Sequence, residues 1–249
     1  MNLLDLSAVV RDSAVERRKV IDMFMKVRGI GEKLANILYD EGVRTVEEIV
    51  DAPGVPPNVR LAAKHFNDLH TMIPREELKK LIVHIRTALK GKVDHFNIIG
   101  CGSYRRGAPL SSDLDLLIIT DEYNAKDIEE ILKKDKLYVD TLKGGKDKVE
   151  LLMRMNSDIP VRLVEIYMAK EIERGAAMIY LTGPAEFSII MRVRAKRKYG
   201  MLLNQRGLYK DETLVASKTE KEIFTALDLP YIPPERRGSN EVYDTYFKE

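Results

Sequence analysis

The chain has 249 residues, 45% of them apolar, which is enough to fill the cores of two or more small domains of a folded protein. Lysine and arginine outnumber aspartate and glutamate by only 41 to 39, so no global field marks a nucleic-acid partner, and any such surface must come from where the charges sit. The single cysteine, Cys101, excludes an intramolecular disulfide and has no companions spaced for zinc, and the absence of a signal-peptide pattern or an apolar run near the roughly 20 residues that span a bilayer leads us to expect no membrane partner and an intracellular, reducing compartment: cytoplasm, nucleus or viral factory.

Leu3 to Lys19 is mixed and charged and reads as a short helix or a partly ordered arm. Met23 to Val27 leads into Gly29-Ile30-Gly31, after which Leu34, Ile37 and Leu38 recur at helical spacing and Gly42 closes the helix. This is helix, glycine-rich hairpin, helix. Glycines at the hairpin let the backbone approach a DNA strand, and the N–H groups opening the second helix can hold a phosphate without reading bases. An ordinary turn between two antiparallel helices would leave the same pattern. Pro53 to Asn58 reads as a loop and Arg60 to Leu69 as one further helix ending before Ile73-Pro74. From there an amphipathic helix runs to about Leu89, with Leu78, Leu81, Ile82, Ile85 and Leu89 on one stripe.

Gly100 to Thr120, GCGSYRRGAPLSSDLDLLIIT, is the stretch around which the chain is organised. Gly102-Ser103 is followed by nine residues and then Asp113-x-Asp115. The aliphatic run Leu114 to Ile119 is expected on a buried strand, where residues two apart face the same way, so the two carboxylates project together. Adjacent carboxylates repel unless a cation lies between them, and hard oxygen ligands suit Mg²⁺ or Mn²⁺. Gly102 and Gly107 allow close backbone approach, Ser103 can donate a hydrogen bond, and Arg105 and Arg106 can meet phosphate charge. Together these residues suit a metal-bound triphosphate.

Beyond this motif, Asp121 to Lys134 reads as a surface helix, and Tyr138 to Leu142, Val149 to Met155 and Val161 to Met168 as strands, with a turn at Gly144-Gly145-Lys146. On the last strand Glu165 shares a face with Val161, Leu163 and Tyr167; a carboxylate among apolar strand residues is expensive to bury unless paired or metal-bound. Gly183 to Tyr199 opens a basic helical stretch containing Arg192, Arg194, Lys196, Arg197 and Lys198, placed directly after the nucleotide motif and suited to DNA contact. Loose structure is expected from Gly238 onward.

GCGSYRRG followed by SSDLDLLI resembles the nucleotidyltransferase signature of family X DNA polymerases, the polymerase beta-like branch of that superfamily. Three further phrases resemble the same family in the same order: IDMFMKVRGIGEKLANILYDEGVRTVEEI its helix-hairpin-helix, IPREEL the start of its palm, and SKTEKEIFTALDLPYIPPERR the end of its thumb. Tyr180-Leu181-Thr182-Gly183 resembles its Tyr-Phe-Thr-Gly and fixes the register that makes Glu165 the third catalytic carboxylate. The resemblance implies an α+β protein with helical fingers in residues 1–72, a palm with a mixed β-sheet in 73–182 and an α/β thumb in 183–249. It implies a monomeric, repair-type, template-directed polymerase, suited to base excision repair, that extends a primer at short gaps with deoxynucleoside triphosphates by two-metal phosphoryl transfer. Asp113, Asp115 and Glu165 would hold two Mg²⁺ or Mn²⁺ ions. Gly102, Ser103, Arg106, Ser112, Tyr180, Leu181 and Gly183 would bind the nucleotide, and Gly29, Gly31, Lys33, Arg192, Arg194 and Lys196 gapped or primer-template DNA. The carbonyls of Met25, Val27 and Ile30 would hold a monovalent cation. The Gly183–Pro184 peptide would be cis. No lyase domain is expected ahead of the fingers.

Three positions depart from the family: Met72 where many relatives carry Arg, Leu163 where polymerase beta carries Arg, and Glu165 where Asp is usual. Glutamate displaces the carboxylate on the order of 1 Å, which can cost about a hundredfold in rate. Glu165→Asp is therefore expected to speed insertion. A template-independent terminal transferase and a catalytically weakened gapped-DNA-binding protein stay open beside the polymerase.

Overall fold

The computed structural model describes residues 3–248, with side chains from residue 14; positions 1, 2 and 249 of the expected first and third segments lie outside it. The chain divides into two units, Met1–His70 and Thr71–Glu249.

The first unit is helical: α1 (Leu3–Phe24), α2 (Glu32–Asp40), α3 (Val46–Ile49), α4 (Pro57–Lys64) and α5 (Phe66–Leu69). Phe24, Val27, Ala35, Leu38, Ile49 and Val59 are each buried, the large side chains contributing about 1.5–3 kcal/mol apiece on transfer from water. The expected hairpin links α1 to α2. Gly29 has φ +89°, and a Cβ there would meet Val59 Cγ2 at 3.0 Å, so the turn needs glycine for conformation and for space. The single helix expected over Arg60 to Leu69 is instead two, because the backbone at His65 (φ −106°, ψ 21°) leaves the helical region. Arg60 pins the preceding loop by donating to the carbonyls of Val50, Ala52 and Val55.

The second unit begins with β1 (Ile73–Pro74) and α6 (Arg75–Leu89). Next come β2 (Asn97–Gly100), α7 (Gly102–Arg105), β3 (Leu110–Ser111), β4 (Leu114–Ile119), α8 (Ala125–Leu132), β5 (Tyr138–Lys143), β6 (Lys148–Met153) and β7 (Arg162–Ala169). Five strands form one mixed sheet in the order β2-β4-β7-β6-β5, with only β4 and β7 parallel. Period-2 alternation gives the sheet two different faces. Leu114, Leu116, Ile118, Val149, Leu151, Val164 and Ile166 pack on the stripe of α6 and on α8, so α8 is more than a surface helix. The other face carries Leu117, Ile119 and Ala169 against Ala177 of α9 (Arg174–Thr182), and beyond them Asp115, Glu165 and Glu150.

The remainder is α10 (Ala185–Tyr199), the small sheet of β8 (Leu202–Leu203), β9 (Leu208–Lys210) and β10 (Thr213–Ala216), α11 (Glu220–Ala226) and α12 (Asn240–Tyr246). A Cβ on Gly175 would fall 2.2 Å from the Thr219 backbone, so α9 can lie directly against the start of α11 only because residue 175 is glycine. The loose tail expected beyond Gly238 is a helix: Ser239 caps it, Val242 is buried, and Phe247 meets Phe187 edge to face at 5.9 Å. Gly183–Pro184 is cis, as expected. Among the described residues no helix is long and apolar enough to cross a membrane.

Candidate active site

Asp113 lies at the bend before β4 and Asp115 one residue into it. The parallel register sets Asp115 opposite Glu165, and the antiparallel register of β6 sets Glu165 opposite Glu150, so three carboxylates form one row across adjacent strands. Burial, then the charges of Asp113 and Glu165, push the Asp115 carboxyl up to about 7; Lys148 and Arg106 act in the opposite sense. Gly102, at φ +53°, is pressed onto this carboxylate: a Cβ there would sit 2.0 Å from Asp115 Oδ2. The glycine of this turn and Asp115 are therefore in direct contact, a packing that the sequence alone did not assign to Gly102.

Glu165 is 6% exposed. Its Oε2 accepts from Lys148 Nζ at 2.6 Å and from the Tyr167 hydroxyl at 2.8 Å, and Lys148 also reaches Glu150 Oε1 at 2.7 Å. Burial weighs against charge on Lys148, but its bonds to Glu150, Glu165 and Tyr167 win and hold its pKa above the ordinary range. Burial and the Glu165 charge likewise raise Tyr167. Among the described residues no three Asp, Glu, His or Cys are gathered into a set that could hold a metal ion. Asp113 and Asp115 offer the hard oxygens that a divalent cation prefers, while Glu165 is engaged by Lys148 and Tyr167. The sequence alone gave no role to Lys148 or Glu150; their i, i+2 spacing in an apolar strand was the available signal.

The glycine-serine turn is tied to the end of α9. Arg106 Nη1 donates to the Thr182 carbonyl at 2.6 Å, beside the buried Gly183. Ser103 donates to Ser111 Oγ at 2.7 Å, and Ser112 is exposed. Arg105 is not available for phosphate as expected. It spans to Glu220 with two hydrogen bonds of 2.8 and 2.7 Å and donates to Thr182 Oγ1. Glu220 also accepts from the fully buried Arg237 at 2.9 Å and from Tyr231 at 3.2 Å. The arginine charges outweigh burial and hold the Glu220 carboxyl below its ordinary value.

A cleft of about 600 Å³ abuts the carboxylate row through Lys148 and Tyr167 and extends past Leu117 to Tyr180, Leu181 and Arg206. Tyr180 is 41% exposed, with the Arg192 guanidinium 5.6 Å from its ring centre. Arg192 and Lys196 are exposed on α10. Arg194 is not available as expected, because its guanidinium donates to the carbonyls of Leu227, Asp228 and Tyr246. In the first unit Gly29, Gly31 and Lys33 are exposed together on the hairpin, and Gly31 caps α2 with no side-chain bond to its first turn. Met25 is exposed there, while Val27 and Ile30 are buried, the Val27 carbonyl accepting from Ile30 N–H at 3.0 Å.

Residues 72–157 match the family described as DNA polymerase beta palm, and residues 177–238 the DNA polymerase beta thumb. The chain is 26% identical to DNA polymerase lambda of Rattus norvegicus over 88% of its length, and 25% identical to DNA polymerase lambda of Arabidopsis thaliana over 90%. Its fold superposes on polymerase beta of Leishmania infantum, crystallised as a ternary P/T complex, with a TM-score of 0.81 and 27% identity, covering 90% of this chain and 100% of that one. The chain belongs to family X, carrying a family X DNA polymerase core. It spans 42% and 47% of the two polymerase lambda chains, so the matched region is under half of either relative. The palm match runs from β1 through β6, and the thumb match from within α9 to the residues just before α12.

Proposed function

We propose that the protein is a DNA-directed DNA polymerase of the repair type, adding deoxynucleotides to a primer 3′ end at short gaps. Residues 1–72 act as fingers, 73–182 as palm and 183–249 as thumb. The observation that carries this reading is the Asp115–Glu165 pairing on parallel strands, with Asp113 beside it and the Gly102 turn against Asp115. The donor chemistry fits divalent cations: half-buried Asp113 and Asp115 beside buried Glu165, with the Asp115 carboxyl raised first by desolvation and then by its neighbours' charge, gain from Mg²⁺ or Mn²⁺. Two such ions, bound by Asp113 and Asp115 with Glu165 as third carboxylate, would acidify the primer hydroxyl and neutralise charge on the triphosphate.

The chain's own residues do the rest. The β4–β7 pairing fixes carboxylate spacing, Gly102 allows the nucleotide turn to close on Asp115, and Arg106 holds that turn to Thr182 while adding positive charge beside it. Ser103 can rotate from Ser111 to a phosphate oxygen, and Ser112, Tyr180, Leu181 and Gly183 complete the nucleotide pocket. The P/T complex of the Leishmania relative supports primer-template DNA as partner, held through the hairpin at Gly29, Gly31 and Lys33 and through Arg192 and Lys196. The carbonyls of Met25, Val27 and Ile30 would hold a monovalent cation at that hairpin, and the polymerase acts as a monomer.

Single-turnover insertion across a one-nucleotide gap, with each template base against each triphosphate, tests the reading. Insertion of only the matched nucleotide is expected. Template-independent addition would make the protein a terminal transferase, and tight gapped-DNA binding without insertion would make it a catalytically weakened binder, a reading favoured by the hold of Lys148 and Tyr167 on Glu165.

A further inference from the structure

The row Asp115, Glu165, Glu150 places three like charges on neighbouring strands, an arrangement that costs energy unless a cation lies within it. The chain supplies one. Lys148, on the strand that also carries Glu150, reaches both glutamates at 2.7 Å and 2.6 Å, and both carboxylates are 7% exposed at the side chain. The two donors on Glu165, Lys148 Nζ and the Tyr167 hydroxyl, converge on the same oxygen, Oε2. A carboxylate oxygen holding two such donors is a poor metal ligand until one leaves.

We propose that Lys148 is a built-in counter-cation of the palm, a positioning residue that neutralises Glu165 before metal binds and is retained by Glu150 when Glu165 turns to the metal. The inference rests on the metal site proposed above. Each divalent ion entering the row must displace or oppose one resident positive charge, so Lys148 sets how weakly the protein holds metal in the absence of DNA and nucleotide.

The test is Mn²⁺ binding to the full chain, without DNA or triphosphate, followed by the EPR signal of free Mn²⁺. Lys148→Met is expected to tighten binding roughly tenfold or more by removing a cation in contact with the row. Lys148→Arg keeps the charge and should stay within about threefold, and Lys146→Met, which removes an exposed charge lining the same cleft, within about twofold. Glu150→Gln takes one carboxylate from the row, leaves Lys148 to Glu165 and Tyr167, and should weaken binding about threefold or more. Unchanged or weaker binding in Lys148→Met, or equal tightening in Lys146→Met, overturns the proposal. If Lys148→Met fails to fold, Lys148→Gln decides, and unchanged or weaker binding there overturns the proposal. Parent binding that Asp115→Asn does not weaken would instead remove the metal site itself, and this proposal with it.

Discussion

Glutamate at position 165 reaches one methylene further than the family's usual aspartate, and the added reach ends on Lys148 and Tyr167. Glu165→Asp shortens that arm, gives up both partners and restores the family spacing. The maximal rate of single-turnover insertion should rise on the order of tenfold, with triphosphate affinity nearly unchanged. A slower variant would mean that Lys148 and Tyr167 hold the glutamate in its working position. Asp115 carries a different signature. Without divalent metal its carboxyl ionises near pH 7 in the folded chain, against 3.8 when unperturbed. Between those values the folded chain keeps a proton that the unfolded chain has lost, so stability falls as pH rises from about 4 to about 7 and then levels. The full shift corresponds to at most about 4 kcal/mol, and Asp115→Asn should flatten that part of the profile. Urea unfolding of both proteins at several pH values checks this; parallel profiles would contradict the burial of Asp115.

At the scale of elements, the aliphatic run of β4, the stripe of α6 and the glycine hairpin were legible because each element announces itself through local periodicity or a required backbone conformation. Glu165 was legible as an odd charge in an apolar strand. Its pairing with Lys148 and Glu150 was not, because cross-strand register is set by the whole sheet and not by either strand. The helix at Asn240–Tyr246 was hidden for a similar reason: its stability comes from Val242 and neighbouring aromatics docking on a distant core, not from its own polar sequence. Helix α10 shows the same limit for function. Its basic run reads as one surface, yet Arg192 is exposed while Arg194 is spent on three carbonyls. Arg192→Ala should therefore lower the slope of log DNA affinity against log salt by about one without changing the melting temperature. Arg194→Ala should leave the slope and cost about 1–3 kcal/mol of stability. Anisotropy titrations across salt and thermal melts separate the two, and the reverse pattern would contradict the assignment.

Across the whole molecule, the proposed chemistry and the proposed DNA contacts fall on different residues. The carboxylate row occupies one face of the five-stranded sheet, and the Arg105–Glu220–Arg237 network joins the glycine-serine turn to α11 within the same unit. Losing one partner of such a buried charged network typically costs about 3–5 kcal/mol, and Arg105, engaged by Glu220 and Thr182, ties the turn in place. The exposed cations of the hairpin and of α10 are members of neither set. The central claim, that the Asp113–Asp115 pair runs metal-dependent insertion, is tested most directly by Asp115→Asn, comparing single-turnover insertion at a one-nucleotide gap with affinity for the same DNA. Insertion should fall at least about a thousandfold while DNA affinity stays within about threefold, because metal charge is removed and phosphate contacts are not. Insertion within about tenfold of the parent protein would contradict the account.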